Sequence, residues 1–303
     1  CFLAALSASP CVAQEPRDED EWPEVTDGAA AEESEPPAPT PVAPPPAEKK
    51  PWLMRLSWEL GGGYFDYSET LTSIDAKSDF DSGCFAIRST LEGNFSGLSP
   101  HLNLLAQFTG GTEEFRSTTT QQEDDLFIAT VLLDVGCGFR LNLGETVTLI
   151  PSLAYTFDYL GFERRNFKIG GRRVTLINLD GERIDKVEET IIGHGVSPGI
   201  AIEARLTSSL DLRVHFIGTV IPEAEVDNDI GGVIGTEGYM VRGGFALNMQ
   251  LNTRLGFHTS VEAGVHEYNK STQKTRSGNV ATAIVQFPDS STVWVVIGAG
   301  VEL

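Results

Sequence analysis

The residues best suited to chemistry in this chain are a few histidines with a hydroxyl or carboxylate at a spacing of two or four. His258 and Ser260 lie two apart in GFHTSVEAGVHEY. On an extended strand that spacing puts both side chains on one face, where a base and a serine nucleophile would stand. No orienting carboxylate or nucleophile motif accompanies them in the sequence, so inward polarity is expected rather than catalysis. His215 stands two residues after Arg213 and four after Asp211 in DLRVHFIG, on the same face. Asp75, Asp79 and Asp81 in DAKSDFDSG offer oxygen ligands to calcium but lack a full ligand pattern. The run GGGYFDY eases strand curvature rather than cradling phosphate. With no phosphate-binding loop and no clustered zinc ligands, no metal, no cofactor and no enzymatic activity are expected.

The elements that carry these residues repeat with period two. In VTLIPSLAYTFDY, Val147, Leu149, Pro151, Leu153, Tyr155, Phe157 and Tyr159 share one face, opposite Thr148, Ser152, Ala154, Thr156 and Asp158. The segment before it sets Phe127, Ala129, Val131, Leu133, Val135, Cys137, Phe139 and Leu141 against Thr130, Asp134, Gly136, Gly138, Arg140 and Asn142. Such strands exceed the roughly 5 to 6 residues of a sandwich strand and match the roughly 9 to 11 of a tilted membrane strand. The pattern predicts about ten of them, near 53–67, 83–95, 101–115, 126–142, 147–162, 190–206, 211–223, 238–252, 255–268 and 291–303. Short turns (SGLSP, LGET, TSS, NTR) alternate with long polar loops at 68–82, 116–125, 163–189, 224–237 and 269–290. Within the 163–189 loop, Asp180-Gly181 could turn a small hairpin.

The face opposite the apolar one collects charge of both signs: Arg55, Glu59, Arg88, Glu92, Asp134, Arg140, Asp158, Glu203, Arg205, Asp211, Arg213, His215, Arg242, His258 and Glu262. In a closed barrel these residues line the lumen, where they must pair with one another or face water. Two outcomes follow: an interlocking ion-pair plug, or a narrow charge-lined pore whose selectivity the Arg and acid rings would set. Aromatics including Trp52, Trp58, Tyr64, Tyr67, Phe95, Phe139, Tyr155, Tyr239 and Trp294 fall near strand ends, as interfacial girdles do. Pro198 and His194 are the outward residues that fit a lipid face worst, which suggests a bulge and a strand rising above the membrane.

Ahead of the strands, residues 1–13 read as the tail of a secretory signal, cleaved after Ala13. Residues 14–51 are acidic and then proline-dense, a composition for an extended, disordered periplasmic linker that could contact peptidoglycan. Residues 52–303 hold the strands. Cys84 and Cys137 fall on opposite faces of their strands, which argues against a disulfide between them. A net charge of −21 argues against a nucleic-acid partner. No apolar run reaches the roughly 18 residues of a membrane helix, so any span is built from strands.

The closing segment STVWVVIGAGVEL, with Val293, Val295, Ile297, Ala299, Val301 and Leu303 on one face, resembles the final strand of a bacterial outer-membrane β-barrel. Together with the even strand count and the alternation of turn lengths, it makes the chain from Trp52 to Leu303 similar to the small porin-like or opacity-like barrels. That resemblance implies an all-β, up-and-down transmembrane barrel of about ten strands in the outer membrane. It implies contact with lipopolysaccharide and with the barrel-assembly machinery. It also implies a structural or narrow porin-like role, with surface adhesion through the long loops as the alternative. Strand number and length are similar to those of the omptin proteases too. Their pattern needs a histidine near the loop rim two positions from an Asp, and Asp227 and Asp229 in VDNDIGGVIGTE have no such partner.

Overall fold

The computed structural model describes residues 54–71, 75–118, 120–177, 183–228, 232–252, 255–277 and 280–303. The expected signal segment, the linker, Trp52, the Asp180-Gly181 turn and Asp229 lie outside the described residues. Ten long antiparallel strands close into a barrel: β1 (Met54–Leu71), β2 (Ala76–Gly93), β3 (Leu98–Arg116), β4 (Gln121–Phe139), β5 (Val147–Ile169), β6 (Lys186–Arg205), β7 (Leu210–Asn228), β8 (Gly232–Gln250), β9 (Gly256–Tyr268) and β10 (Asp289–Glu302). Each pairs with its sequence neighbour, and β10 closes the ring against β1, for example Gly61 opposite Gly298. A smaller hairpin, Ser271–Ser277 with Val280–Phe287, rises between β9 and β10. Among the described residues no helix is long and apolar enough to cross a membrane.

The barrel has two storeys of opposite character. In the lower one, at the short-turn end, outward positions are apolar and well exposed, as at Trp58, Leu60, Leu153, Phe216, Ile297 and Val301. Climbing each strand from that end, the first outward Asp, Glu, Lys or Arg is Asp66, Asp81, Glu114, Asp125, Glu163, Glu188, Glu223, Glu237, Glu267 and Asp289 in turn. Below these, no described outward position bears such a charge. On β1 the charge-free outward positions run from Met54 to Tyr64, the length a tilted strand needs to cross the hydrocarbon core. In the upper storey the pattern inverts. Charges point outward, and Phe65, Tyr67, Phe80, Leu126, Phe162, Ile191, Ile221 and Val226 pack inside as a core.

This inversion corrects the expected loops. Residues 68–71, 76–82, 121–125, 163–169, 186–189, 224–228 and 232–237 are strand, and the connections 72–75, 117–120 and 229–231 are short. A wall with water outside and apolar side chains inside is polar on average, so it reads as loop while keeping its alternation. The girdle also loses two members, because Tyr67 and Trp294 point inward and are almost fully buried. Trp294 lies against Gly264, where an added Cβ would come within 2.5 Å of the indole. Pro198 faces outward, where its missing N–H leaves a gap in the β6–β7 ladder beside a register shift at His194/Val196. Cys84 points inward and Cys137 outward, and both are free thiols.

Candidate functional site: the barrel lumen

The lumen begins at the short-turn end as a vestibule of about 150 Å³ that reaches up to Arg242 and Glu262. At its mouth Arg55 meets Glu302 at 3.1 Å. Deeper, Arg213 donates to Glu92 at 2.6 Å, and Ser99 donates to the same carboxylate at 3.0 Å. Glu203 takes Arg140 and, at 3.4 Å, Arg213. Arg205 departs from the expected lining. It ends β6 with its side chain half exposed, 4.0 Å from Asp211, because the strand stops at the rim before its side chain can turn inward.

Above the vestibule the charges interlock across the barrel. Glu262 receives Arg88 at 2.8 Å and lies 3.3 Å from His215 and 3.9 Å from Arg242. Arg242 also pairs with Asp134, which accepts from Thr156 at 2.7 Å, and the chain continues through Ser197 to Thr219. Higher still, Asp158 joins His266 at 3.1 Å and accepts from the Tyr268 hydroxyl. Each of these carboxylates is almost fully buried. A buried charge is tolerated only when paired, and these are paired with one another.

The His258–Ser260 pair has the orienting carboxylate that its local sequence lacks. Ser260 donates to Glu59 Oε1 at 2.6 Å, and His258 Nε2 lies 3.0 Å from Glu59 Oε2. Glu59 reaches them from β1 across the intervening strand β10, and Gly298 makes this feasible: a Cβ there would sit 1.9 Å from Glu59 Oε1. The geometry is nonetheless wrong for a nucleophile. The serine proton is committed to the carboxylate, Arg88 donates to Ser260 Oγ at 3.1 Å, and the imidazole faces Glu59 instead of the serine.

The apolar core of the upper storey seals the lumen above Asp158. Phe65, Ile128, Ile191, Ile221 and Met240 are all at 0% exposure there, on five different strands. Within this storey lies a second polar cluster, built largely from positions whose sequence reads as loop, joined by Glu113 and Tyr67 at the ends of expected strands. Arg164 on β5 donates to Glu113 on β3 at 2.6 Å and to Glu69 on β1 at 3.2 Å, with its guanidinium 5.6 Å from the Phe162 ring centroid. Ser78 donates to Glu113, and Tyr67 to Glu69. Asp124 stands directly opposite Glu113 in the β3–β4 register. Gln122 donates to Asp124 at 3.1 Å, and Asn228 to Glu189 at 2.7 Å. Burial, with the neighbouring Glu113 charge, pushes the Asp124 carboxyl up to about 7. Burial raises Glu69 to about 7 as well, Glu189 and Glu113 adding to the effect against the pull of Arg164. Burial works against the Glu113 charge too, but Arg164 and Ser78 outweigh it and hold that carboxyl below its ordinary range.

With this geometry in view, the solved structures place the fold. The outer-membrane protease OmpT from Escherichia coli matches with a TM-score of 0.57 at 11% identity, over 82% of this chain and 96% of that one. The transport unit of the autotransporter AIDA-I from Escherichia coli matches at a TM-score of 0.38 and 10% identity, over 84% of this chain and 91% of the other. Neisserial surface protein A matches at 0.27 and 11%, over 82% and 96%. No family model matches the sequence, and no curated protein does. The chain has the fold of bacterial outer-membrane β-barrels, closed with ten strands. Its charge-free outer belt is the surface that such a fold presents to lipid.

Proposed function

We propose that this protein is a closed, non-catalytic barrel of the outer membrane that holds an upper storey and its connecting loops above the surface, where they make structural or adhesive contact. The observation that carries this reading is the double closure of the lumen, first by paired charges and then by an apolar layer drawn from the wall itself. A barrel with a dry layer across it has no continuous water path, and ions do not cross a dewetted constriction. The narrow-pore reading would require that layer to part. Proteolysis of the omptin kind would require an Asp–His couple open at the extracellular rim. His266 is enclosed with Asp158 and Tyr268, and His194 points to the outer wall beside Tyr155.

The test is single-channel recording of the refolded chain in a planar bilayer, with heat-modifiable gel migration to establish the folded barrel. A folded and silent barrel is the expected result. Discrete conductance steps at moderate voltage would overturn the reading and make Arg88, Arg242 and Glu262 the constriction of a pore. Deletion of the 170–185 connection should then leave the barrel folded while abolishing surface contact.

A further inference from the structure

The upper-storey cluster has an unusual charge balance for a buried site. Four carboxyl groups, on Glu69, Glu113, Asp124 and Glu189, converge from β1, β3, β4 and β6. One cation, Arg164 of β5, stands among them. Among the described residues, Ser78 from β2 and Asn228 from β7 add neutral donors to the cluster, and Tyr67 of β1 a neutral phenol. Two carboxyl groups facing each other across a strand pair cannot both be ionised without cost, so burial and the facing Glu113 charge favour the protonated form of Asp124. No described donor reaches Asp124 Oδ1, which is buried.

We propose that this cluster is a proton-operated latch on the extracellular storey: with the Asp124 proton in place the wall is closed over the apolar core, and its loss loosens β1, β3, β4 and β5 at their upper ends. The sign follows from linkage. Asp124 and Glu69 bind protons more tightly in the closed wall than when solvated. Their contribution is therefore complete below the ordinary carboxylate range near 4 and is lost as pH rises to about 7. Each such group weakens closure about tenfold per pH unit across that window. Glu113 acts in the opposite sense, and only between the ordinary carboxylate range and its own lowered value, below the window.

Hydrogen exchange read by mass spectrometry on the full chain in vesicles, corrected for the intrinsic pH dependence of exchange, tests this. Amides in 110–126 and 160–168 should lose protection by about tenfold or more per unit between pH 5.5 and 7, while 128–136 on the same β4 strand stays flat. Asp124→Asn, which keeps a neutral partner for Glu113, should remove most of the slope, and Glu69→Gln should reduce it. Equal protection at pH 5.5 and 7.5 in the unaltered chain would overturn the proposal, as would an unchanged slope in a folded Asp124→Asn barrel. If Asp124→Asn does not fold, Glu69→Gln decides: a folded variant with an unchanged slope overturns the latch.

Discussion

Replacing Arg242 with Met asks whether the lumen charges are dry and interlocked or merely wet and adjacent. Met keeps the unbranched stem of Arg without its guanidinium, so packing along the stem changes little while the charge disappears. Glu262 keeps Arg88 at 2.8 Å and His215 at 3.3 Å and should tolerate the loss. Asp134 is left with only Thr156 at 2.7 Å as a described side-chain donor, in a position 2% exposed. Stranding one member of a buried pair costs about 3–5 kcal/mol, roughly two to four orders of magnitude in the folding equilibrium. Asp134→Leu together with Arg242→Met removes both charges and should recover most of that loss. Urea titrations in lipid vesicles, followed by tryptophan fluorescence and heat-modifiable migration, measure the single and double variants against the parent. A single-variant loss under about 1 kcal/mol, the value of a solvated pair, would refute the reasoning, because it would mean that water reaches Asp134. The single variant should also remain electrically silent, since Phe65, Ile128, Ile191, Ile221 and Met240 still close the barrel above it.

Three other measurements bear on the two storeys. Val214→Arg, on the exposed outer belt of β7, should destabilise the barrel by about 2–4 kcal/mol in vesicles. Glu225→Arg, outward on the same strand but above the belt, should stay within about 0.5 kcal/mol. Equal costs would mean that the belt is misplaced. Gly264→Leu drives a side chain into the Trp294 indole, since a Cβ at that position would stand 2.5 Å from the ring, and should cost about 1–3 kcal/mol, with a shifted tryptophan emission. A tolerated Leu with unchanged emission would show that Trp294 is not seated there. A thiol-reactive probe should label Cys84 far more slowly than a cysteine placed at Ser57 in the vestibule, and equal rates would mean that the apolar layer is open.

The lower storey was legible because lipid outside and charge inside produce an alternation of strong contrast. Arg55, Glu59, Arg88 and Arg242 could be assigned to the lumen from parity alone. The upper storey keeps the same alternation with its sense reversed, as in Lys77, Asp79 and Asp81 against Ala76, Ser78 and Phe80. Averaged along the chain this is a polar stretch, and only a parity count carried past Tyr67 would have found it. Partners across the barrel were not legible, because they depend on how far the strands stagger as the sheet closes. Glu59 meets Ser260 and His258 only because β10 lies between β1 and β9 and places Gly298 and Gly300 there. Glycines at alternate positions of the closing strand were the available signal.

The source of the seal decides how hard it would be to open. A loop folded into a lumen can swing out at the cost of its own contacts, but here Phe65, Leu132, Leu160, Ile191, Ile221, Met240 and Val296 are wall residues on seven strands. None can leave the axis unless its strand twists or the barrel widens, and either change breaks ladder hydrogen bonds, which in the belt below hydrocarbon cannot replace. The lower belt is therefore the rigid part. The upper storey is the part able to yield, since water stands ready to take the bonds its strands would give up. Any response to surface conditions should then begin at the Arg164 cluster and stop above Asp158, leaving the membrane storey unchanged.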